Sequence, residues 1–357
     1  MIVGNKKFTT IWYKDDSVKI IDQTLLPFKF KIKKLKTIND FFLAIKNMCV
    51  RGAPLIGVTA AFGLALSIKR NSSIKSIEKS YEKLLSARPT AVNLKWALDL
   101  VFNSIKQLPD EKRWLKSINL SKKIRSQDIE NCKKIGIHGL KIIKKKYLEK
   151  KGVINILTHC NAGWLATVDW GTALSPIFSA KQNNIPIHVW VDETRPRNQG
   201  ALLTAWELKN ARVPYTIVVD NAGGHLMQSG KVDLCIVGSD RTALNGDVCN
   251  KIGTYLKAIA AFDNGIPFYV ALPVSTIDFN LKKGVSNIEI EERPGIELSK
   301  IRSTTNKSSR IYFDGANVSN PAFDVTPAKY ITGLITEFGL LKAKTSEIRK
   351  IKALKNV

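Results

Sequence analysis

The sequence predicts an α/β protein, with a helical N-terminal domain followed by a doubly wound, mainly parallel, Rossmann-like sheet domain. Three observations carry this. Residues 37–150 space their apolar residues three and four apart, with no β-rich interruption. From Gly152 onward, short Val- and Ile-rich runs alternate with helical segments. Those runs are apolar on both faces, as strands of a parallel sheet covered by helices on both sides must be. The division is drawn at 1–148 and 149–357, with the cleft expected at the carboxyl ends of the strands.

The helical part opens with TINDFFLAIKNM at residues 37–48. The longest uncharged apolar stretch, Ala53 to Ile68, follows. It is shorter than the ~20 residues that span a bilayer, and it carries Pro54, Gly57, Thr59 and Gly63. A buried helix packed closely through small residues fits it. SIEKSYEKLLS and VNLKWALDLVFNSIKQL read as further helices, punctuated by Pro89 and Pro109. A lysine run at 144–151 and Gly152 mark the change of texture. The strand-like runs are then GVINILT (152–158), IPIHVWVD (185–192), VPYTIVVD (213–220), VDLCIVGSD (232–240) and IPFYVALP (266–273). Helical segments are expected around 165–181, at 198–211 and at 249–262. The basic tail from about residue 340 reads as helical or irregular.

Composition narrows the function. The chain has 357 residues, 44% of them hydrophobic and 24% charged, which suits a globular protein with a large core. Five cysteines stand at 49, 132, 160, 235 and 249, without CxxC or Cys/His spacing. Reduced thiols, a cytoplasmic setting and no structural zinc follow as expectations. Four histidines, at 138, 159, 188 and 225, never stand four apart, so no metal site is expected. The N-terminus lacks the apolar core of a signal peptide. The net charge of +26 comes from scattered lysines with no interleaved aromatic surface. Neither specific nucleic-acid binding nor membrane association is therefore expected. A lysine-rich composition or a preference for phosphorylated small molecules accounts for the charge equally well.

Ligands of a doubly wound sheet bind outside the carboxyl ends of its strands. Four strand ends here are polar: Thr158-His159-Cys160-Asn161, Asp192-Glu193-Thr194-Arg195, Asp220-Asn221 and Ser239-Asp240-Arg241. Parallel strands bring all of them to one edge. Each such residue also has an ordinary use as a turn former, helix cap or small buried filler. No GxSxG elbow, Walker lysine loop, HExxH or GxGxxG follows a strand. One thiol, a carboxylate or two, and several Arg, Asn, Gln and Lys remain. That set suits proton transfer on a small phosphorylated molecule without metal. Cys160 serves as base or nucleophile if positive charge lowers its pKa. Asp240 serves as an acid if an apolar setting raises its pKa.

Several longer stretches carry a resemblance. RGAPLIGVTAAFG (51–63), RPTAVNL (88–94), LTHCNAG (157–163), DETRPRNQGALLTAWEL (192–208) and GSDRTALNGDVCNKIGTY (238–255) resemble the methylthioribose-1-phosphate isomerase family. So do ALPVSTIDF (271–279), IEERPGIEL (290–298) and NPAFDVTPAKYITGLITEFG (320–339). The wider superfamily includes ribose-1,5-bisphosphate isomerase and regulatory subunits of the initiation-factor exchange complex. LTHCNAG together with GSDR and NGDVCNK points to the isomerase branch.

The resemblance implies conversion of the aldose 5-methylthioribose 1-phosphate to the ketose 5-methylthioribulose 1-phosphate in methionine salvage, by a cytoplasmic homodimer without cofactor or metal. It assigns catalysis to Cys160 and Asp240. It assigns substrate binding to Arg51, Gly52, Ala53, Arg88, Gln199, Asn250 and Lys251. On that reading Arg51 and Arg88 grip the phosphate, helped by the N–H groups of Gly52 and Ala53. Asp240 protonates the ring oxygen, while Gln199, Asn250 and Lys251 orient hydroxyls or phosphate. Cys160 either moves a proton through an enediol-type path or stabilises a hydride shift. Arg197 and Asn198 depart from the family, which more often has an apolar residue before the glutamine. A related pentose-phosphate isomerase and a non-catalytic regulatory subunit are the competing readings; the presence of both Cys160 and Asp240 argues against the second.

Overall fold

The computed structural model describes residues 1–302, 308–313 and 315–355. Its first residues are extended. Ile2–Val3 (β1) and Lys6–Lys7 (β2) form a small hairpin, and Ile11–Lys14 (β3), Ser17–Ile21 (β4) and Ile32–Leu35 (β5) form an antiparallel sheet. Sequence reading predicts 1–148 as mainly helical and does not find these strands. They are two to five residues long, too short to show an alternating pattern.

Helices follow: α1 (Ile38–Lys46), α2 (Ala53–Arg70), α3 (Ile74–Leu85), α4 (Val92–Ile105) and α5 (Asp110–Lys150). Thr37 and Asp40 close a reciprocal capping box at the start of α1, which is why the helix begins there. Helix α2 is the apolar stretch read from sequence, and most of its residues are buried among the other helices. Its glycines permit close packing: a Cβ on Gly57 would lie 2.8 Å from the Asn93 carbonyl, and one on Gly63 would lie 2.9 Å from the Phe41 ring. Helix α5 runs 41 residues, about 60 Å at ~1.5 Å per residue. It ties the two parts together. Ile118 and Ile124 belong to the N-terminal core, whereas Ile135 and Ile143 pack under the large sheet.

The second part alternates strand and helix: β6 (Ile154–Thr158), α6 (Leu174–Gln182), β7 (Ile187–Asp192), α7 (Ala205–Asn210), β8 (Tyr215–Val218), α8 (Ala222–Gln228) and β9 (Leu234–Val237). The hairpin β10 (Arg241–Ala243) and β11 (Val248–Lys251) comes next, then α9 (Thr254–Asp263), β12 (Phe268–Ala271) and β13 (Ile277–Asp278). The short elements α10 (Ile296–Ser299), β14 (Lys300–Arg302) and β15 (Ser308–Arg310) precede β16 (Phe323–Thr326), β17 (Gly333–Thr336), β18 (Gly339–Leu341) and α11 (Thr345–Lys355).

The large sheet has the order β18-β17-β12-β9-β6-β7-β8. Every pairing in it is parallel except β17 with β18. Counted over the parallel strands, this is 3-2-1-4-5-6, the doubly wound order, whose switch point lies between β6 and β9. Alternation along the strands feeds two cores. Leu234 and Ile236 of β9 face one side, while Cys235 and Val237 face the other. All five runs read as strands are strands. The sixth parallel strand, β17, lies in a stretch read only as family motif.

Three expected helices differ in detail. The segment expected around 165–181 has a 3₁₀ turn at Trp164–Ala166 and becomes helical only at Leu174. The 198–211 segment begins as a wide π-turn at Gly200–Thr204 before α7 takes over. In the 249–262 segment, residues up to Lys251 are strand β11 and the helix starts at Thr254. Asn250 and Lys251 therefore stand on a strand. That strand joins a second sheet, β13-β10-β11-β16, next to the carboxyl ends of β6 and β9.

Candidate active site

Cys160 follows β6 and Asp240 follows β9, the two strands that flank the switch point. The start of α2 comes over the same place from the N-terminal part. Gly52 is its N-cap, with φ +86°, and the first turn holds Ala53 and Pro54. Arg51, Gly52, Ala53, Cys160, Asp240 and Asn250 all line one small cavity. A second cavity of about 30 Å³ shares Arg51, Gly52, Cys160 and Asp240, and adds Arg88, Gln199 and Lys251. Every residue assigned from the sequence thus reaches one of two adjoining cavities. Through Met48, Arg51, Arg197 and Gln199 they open into a larger one of about 420 Å³.

The backbone at Cys160 is held in an unusual shape. Its φ is +65°, in the left-handed region that residues with a Cβ rarely enter. Thr194, facing it from beyond β7, has φ +64° although it is β-branched. The Cys160 N–H donates to Thr194 Oγ1 at 2.8 Å, and that hydroxyl donates to the Asp192 carbonyl at 3.0 Å. On the other side Thr204 Oγ1 donates to the Cys160 carbonyl at 2.7 Å. Strain of this kind persists only where the surroundings over-determine it. Here two hydroxyls clamp both peptide groups of Cys160.

Three cations surround the Cys160–Asp240 pair. Arg51 is buried, and its guanidinium donates to the side-chain and backbone oxygens of Asn161, the latter at 2.5 Å. Its partner is an amide, so Arg51 keeps its positive charge without a carboxylate in contact. Arg88 does make an ion pair, with Glu291 at 3.1 Å, and its buried Nε meets no acceptor among the described residues. Lys251 Nζ donates to the Ala322 carbonyl at 2.7 Å and stands 4.7 Å from the centre of the Phe323 ring. Asn250 donates to Thr254 Oγ1 at 3.0 Å.

Burial governs the protonation of this group. Asp240 retains a little exposure to the cavity, but protein packs around it. Burial pushes its carboxyl up from the usual range, against the pull of Lys251, Arg88 and Arg51. Burial likewise pushes the Cys160 thiol up, outweighing Arg51 and Lys251. The condition under which Cys160 would serve as base or nucleophile, a pKa lowered by positive charge, is not met: desolvation of the thiolate wins. Burial drives the Lys251 ammonium down, while Cys160 and Asp240 pull the other way.

The remaining polar strand ends hold the scaffold. Asp220, after β8, accepts the N–H groups of Thr194 and Arg195 at 2.6 and 2.7 Å. His159 spans Asp192 Oδ2 and the Ile252 carbonyl, both at 2.8 Å. His159, Asp192 and Asp220 offer ligand atoms within 4.8 Å of one another. The Lys257 ammonium sits among them, 3.2 Å from Asp192, and supplies the positive charge that an ion would bring.

Of the residues that shape the Cys160 loop, sequence reading named Thr194 only as part of a polar strand end and missed Thr204 and Glu207; it also missed Arg293, which lines the cavity beside Arg88. Arg293 forks onto Glu297 at 2.6 and 2.9 Å and pairs with Glu291 at 2.8 Å. Three of these lie in the stretch 192–208 and Arg293 in 290–298, so the motifs were the available signal.

The profile of the initiation factor 2 subunit family matches residues 49–343. A methylthioribose-1-phosphate isomerase of Methylobacterium nodulans is 54% identical over 349 residues, covering 96% of both chains. One of Escherichia coli is 52% identical over 356 residues, covering 98% of this chain and 95% of that one. Among solved structures, 5-methylthioribose 1-phosphate isomerase from Pyrococcus horikoshii superposes with a TM-score of 0.84 at 40% identity, covering 98% and 97% of the two chains. The translation initiation factor eIF-2B subunit delta from A. fulgidus gives 0.79 at 36% identity, covering 96% and 100%.

Proposed function

The chain belongs to the initiation factor 2 subunit family, and from that premise we propose that it is an isomerase of methionine salvage. It turns 5-methylthioribose 1-phosphate, an aldose, into 5-methylthioribulose 1-phosphate, a ketose. The observation that carries the reading is the pairing of Cys160 with Asp240 at the switch point, under the N-terminus of α2 and among Arg51, Arg88 and Lys251. A helix N-terminus and guanidinium groups together favour a phosphate.

The phosphate on the anomeric oxygen prevents spontaneous ring opening, so the ring oxygen must receive a proton. Asp240 is the acid: burial keeps its carboxyl protonated to higher pH than an ordinary aspartate. Arg51, Arg88 and the N–H groups of Gly52 and Ala53 hold the phosphate. Gln199, Asn250 and Lys251 orient the sugar. Cys160, held as a neutral thiol, is not a ground-state base. We therefore read a hydride shift from C2 to C1 of the ring-opened cation, with Cys160 stabilising the transition state and the 2-hydroxyl returning a proton to the Asp240 carboxylate as the ketone forms. The apolar side chains Leu26, Met48, Leu202 and Leu203 in the adjoining cavity are suited to a methylthio group.

We also read the protein as a cytoplasmic homodimer built from a domain at 1–148 and a Rossmann-like domain at 149–357. Among the described residues, one helix, α2, is long and apolar enough to cross a bilayer, and 83% of its apolar window is buried inside the fold. Equilibrium sedimentation tests the dimer, for which a monomer mass at micromolar concentration is the contrary result. Ketose formation from the purified chain tests the activity; a folded chain that leaves this sugar phosphate unchanged would overturn it.

A further inference from the structure

Glu207, on α7, is wholly buried and outside the set of residues that touch substrate. Its neighbours are all donors. Oε1 accepts Asn161 Nδ2 at 2.8 Å and the Leu165 N–H at 3.2 Å, and Oε2 accepts the Trp164 N–H at 2.7 Å. Gly163 admits the carboxylate: a Cβ there would stand 2.0 Å from Oε2. The second hydrogen of the Asn161 amide goes to Thr204 Oγ1 at 3.1 Å. Both amide hydrogens are thus committed, so Oδ1 must face the other way, towards Arg51. Arg51 takes that oxygen and the Asn161 carbonyl in one fork. Two of the five guanidinium donors are used, and the others remain for an anion in the cavity that Arg51 lines.

We infer that Glu207 is a positioning residue for the phosphate site: its carboxylate fixes the orientation of the Asn161 amide, and the amide fixes the Arg51 fork. The inference rests on the isomerase reading only for the identity of the anion. Turning the amide over would set Asn161 Oδ1 against the carboxylate and its NH₂ against the guanidinium. Both contacts would be repulsive.

The chemistry of the contact supplies the test. In Glu207→Gln, one of the two acceptor positions becomes an NH₂ and meets a donor: the Trp164 N–H if the amide oxygen keeps the Oε1 place, Asn161 Nδ2 and the Leu165 N–H if it does not. In the second orientation Asn161 turns and Arg51 loses its oxygen; in the first the 164–165 turn is pushed off, and Asn161 and the Arg51 fork shift with it. In Asn161→Asp, two carboxylates face each other. In the double variant, the carboxylate introduced at position 161 accepts from the amide introduced at position 207 and from Arg51 together, restoring the fork, while the Thr204 hydroxyl turns its hydrogen from the Cys160 carbonyl to the new carboxylate. The four proteins are assayed at about pH 8 with 5-methylthioribose 1-phosphate and titrated calorimetrically with inorganic phosphate. Each single variant should raise KM and weaken phosphate binding about tenfold, with kcat changing less, and the double variant should recover most of both. Single variants that keep wild-type KM, or a double variant whose loss is the product of the two single losses, would overturn the inference. Should Glu207→Gln fail to fold alone, recovery of folding in the double variant supports it and continued failure sinks it. A wild type that leaves the sugar phosphate unchanged, but whose phosphate binding follows this pattern, would remove the isomerase reading and leave the positioning role standing.

Discussion

Adding one methyl group at Gly52 tests how the site is built. The glycine caps α2 with φ +86° and ψ +137°. A Cβ would stand 2.4 Å from the Ala166 carbonyl oxygen and 2.6 Å from the Ala166 Cα. These contacts are backbone, so no side chain can swing aside. Holding a residue with a Cβ at positive φ costs about 1–2 kcal/mol, and overpacking adds about 1–3 kcal/mol. Gly52→Ala should therefore cost about 2–5 kcal/mol. An unfolding entropy of about 2.1 cal/mol/K per residue over 357 residues gives about 0.75 kcal/mol/K. The melting temperature should then fall by about 3–7 °C. Relieving the clash moves the start of α2 away from the segment after Cys160, and Arg51 moves with it. Misplacement by about 1 Å costs rates up to ~100-fold, so kcat/KM should fall at least about tenfold. Calorimetry and steady-state kinetics on the variant read both numbers. A melting temperature within about 1 °C of wild type, with turnover unchanged, would refute the reasoning.

Further predictions concern charge and chemistry. Burial pushes Glu207 up from 4.5 and Asp128 up from 3.8, both to about 7. The folded state then holds more protons than the unfolded state between those values, so stability is fully present below about pH 4 and declines as pH rises through 7. Each group accounts for about 3–4 kcal/mol of that decline at ~1.4 kcal/mol per unit. Urea midpoints at pH 5 and 8 should show the slope, and Asp128→Asn should flatten it; a slope unchanged in the variant contradicts the assignment. In the proposed mechanism Asp240 acts as an acid and Cys160 as a thiol, both with raised pKa, so kcat should fall on the alkaline side as they deprotonate. A pH profile rising through that range would be inconsistent with both roles. Arg88→Lys keeps the charge but loses the fork, and KM should rise about tenfold with kcat little changed; equal KM would remove Arg88 from the phosphate. Turnover in D₂O should leave the ketose without deuterium at C1, whereas its incorporation would indicate an enediol exchanging with solvent.

How much of this was legible in the sequence follows from chain geometry. Runs such as INILT and LCIV are apolar on both faces and announced themselves as central strands. The strands of the first 35 residues did not, being short, mostly lysine-bearing and, apart from the buried β4, partly exposed. VCNK mixes polar and apolar residues and adjoins a helical pattern, so β11 was absorbed into the following helix. Cys160 and Asp240 were legible as polar ends of buried strands, but so were Asp192 and Asp220, which hold the scaffold; the family motifs singled the first two out. Thr204 and Glu207 were not, since a threonine and a glutamate in a helical pattern look like surface residues. Only the fold reveals that they point inward onto the Cys160 loop, forty or more positions earlier in the chain.

The most direct test of the central claim is turnover of 5-methylthioribose 1-phosphate by the purified chain with chelator present, alongside Cys160→Ser and Asp240→Asn. Wild type should form the ketose without added metal, and both variants should melt like wild type while losing turnover. A well-folded wild type that forms no ketose, or an Asp240→Asn variant that forms it at the wild-type rate, would contradict the account.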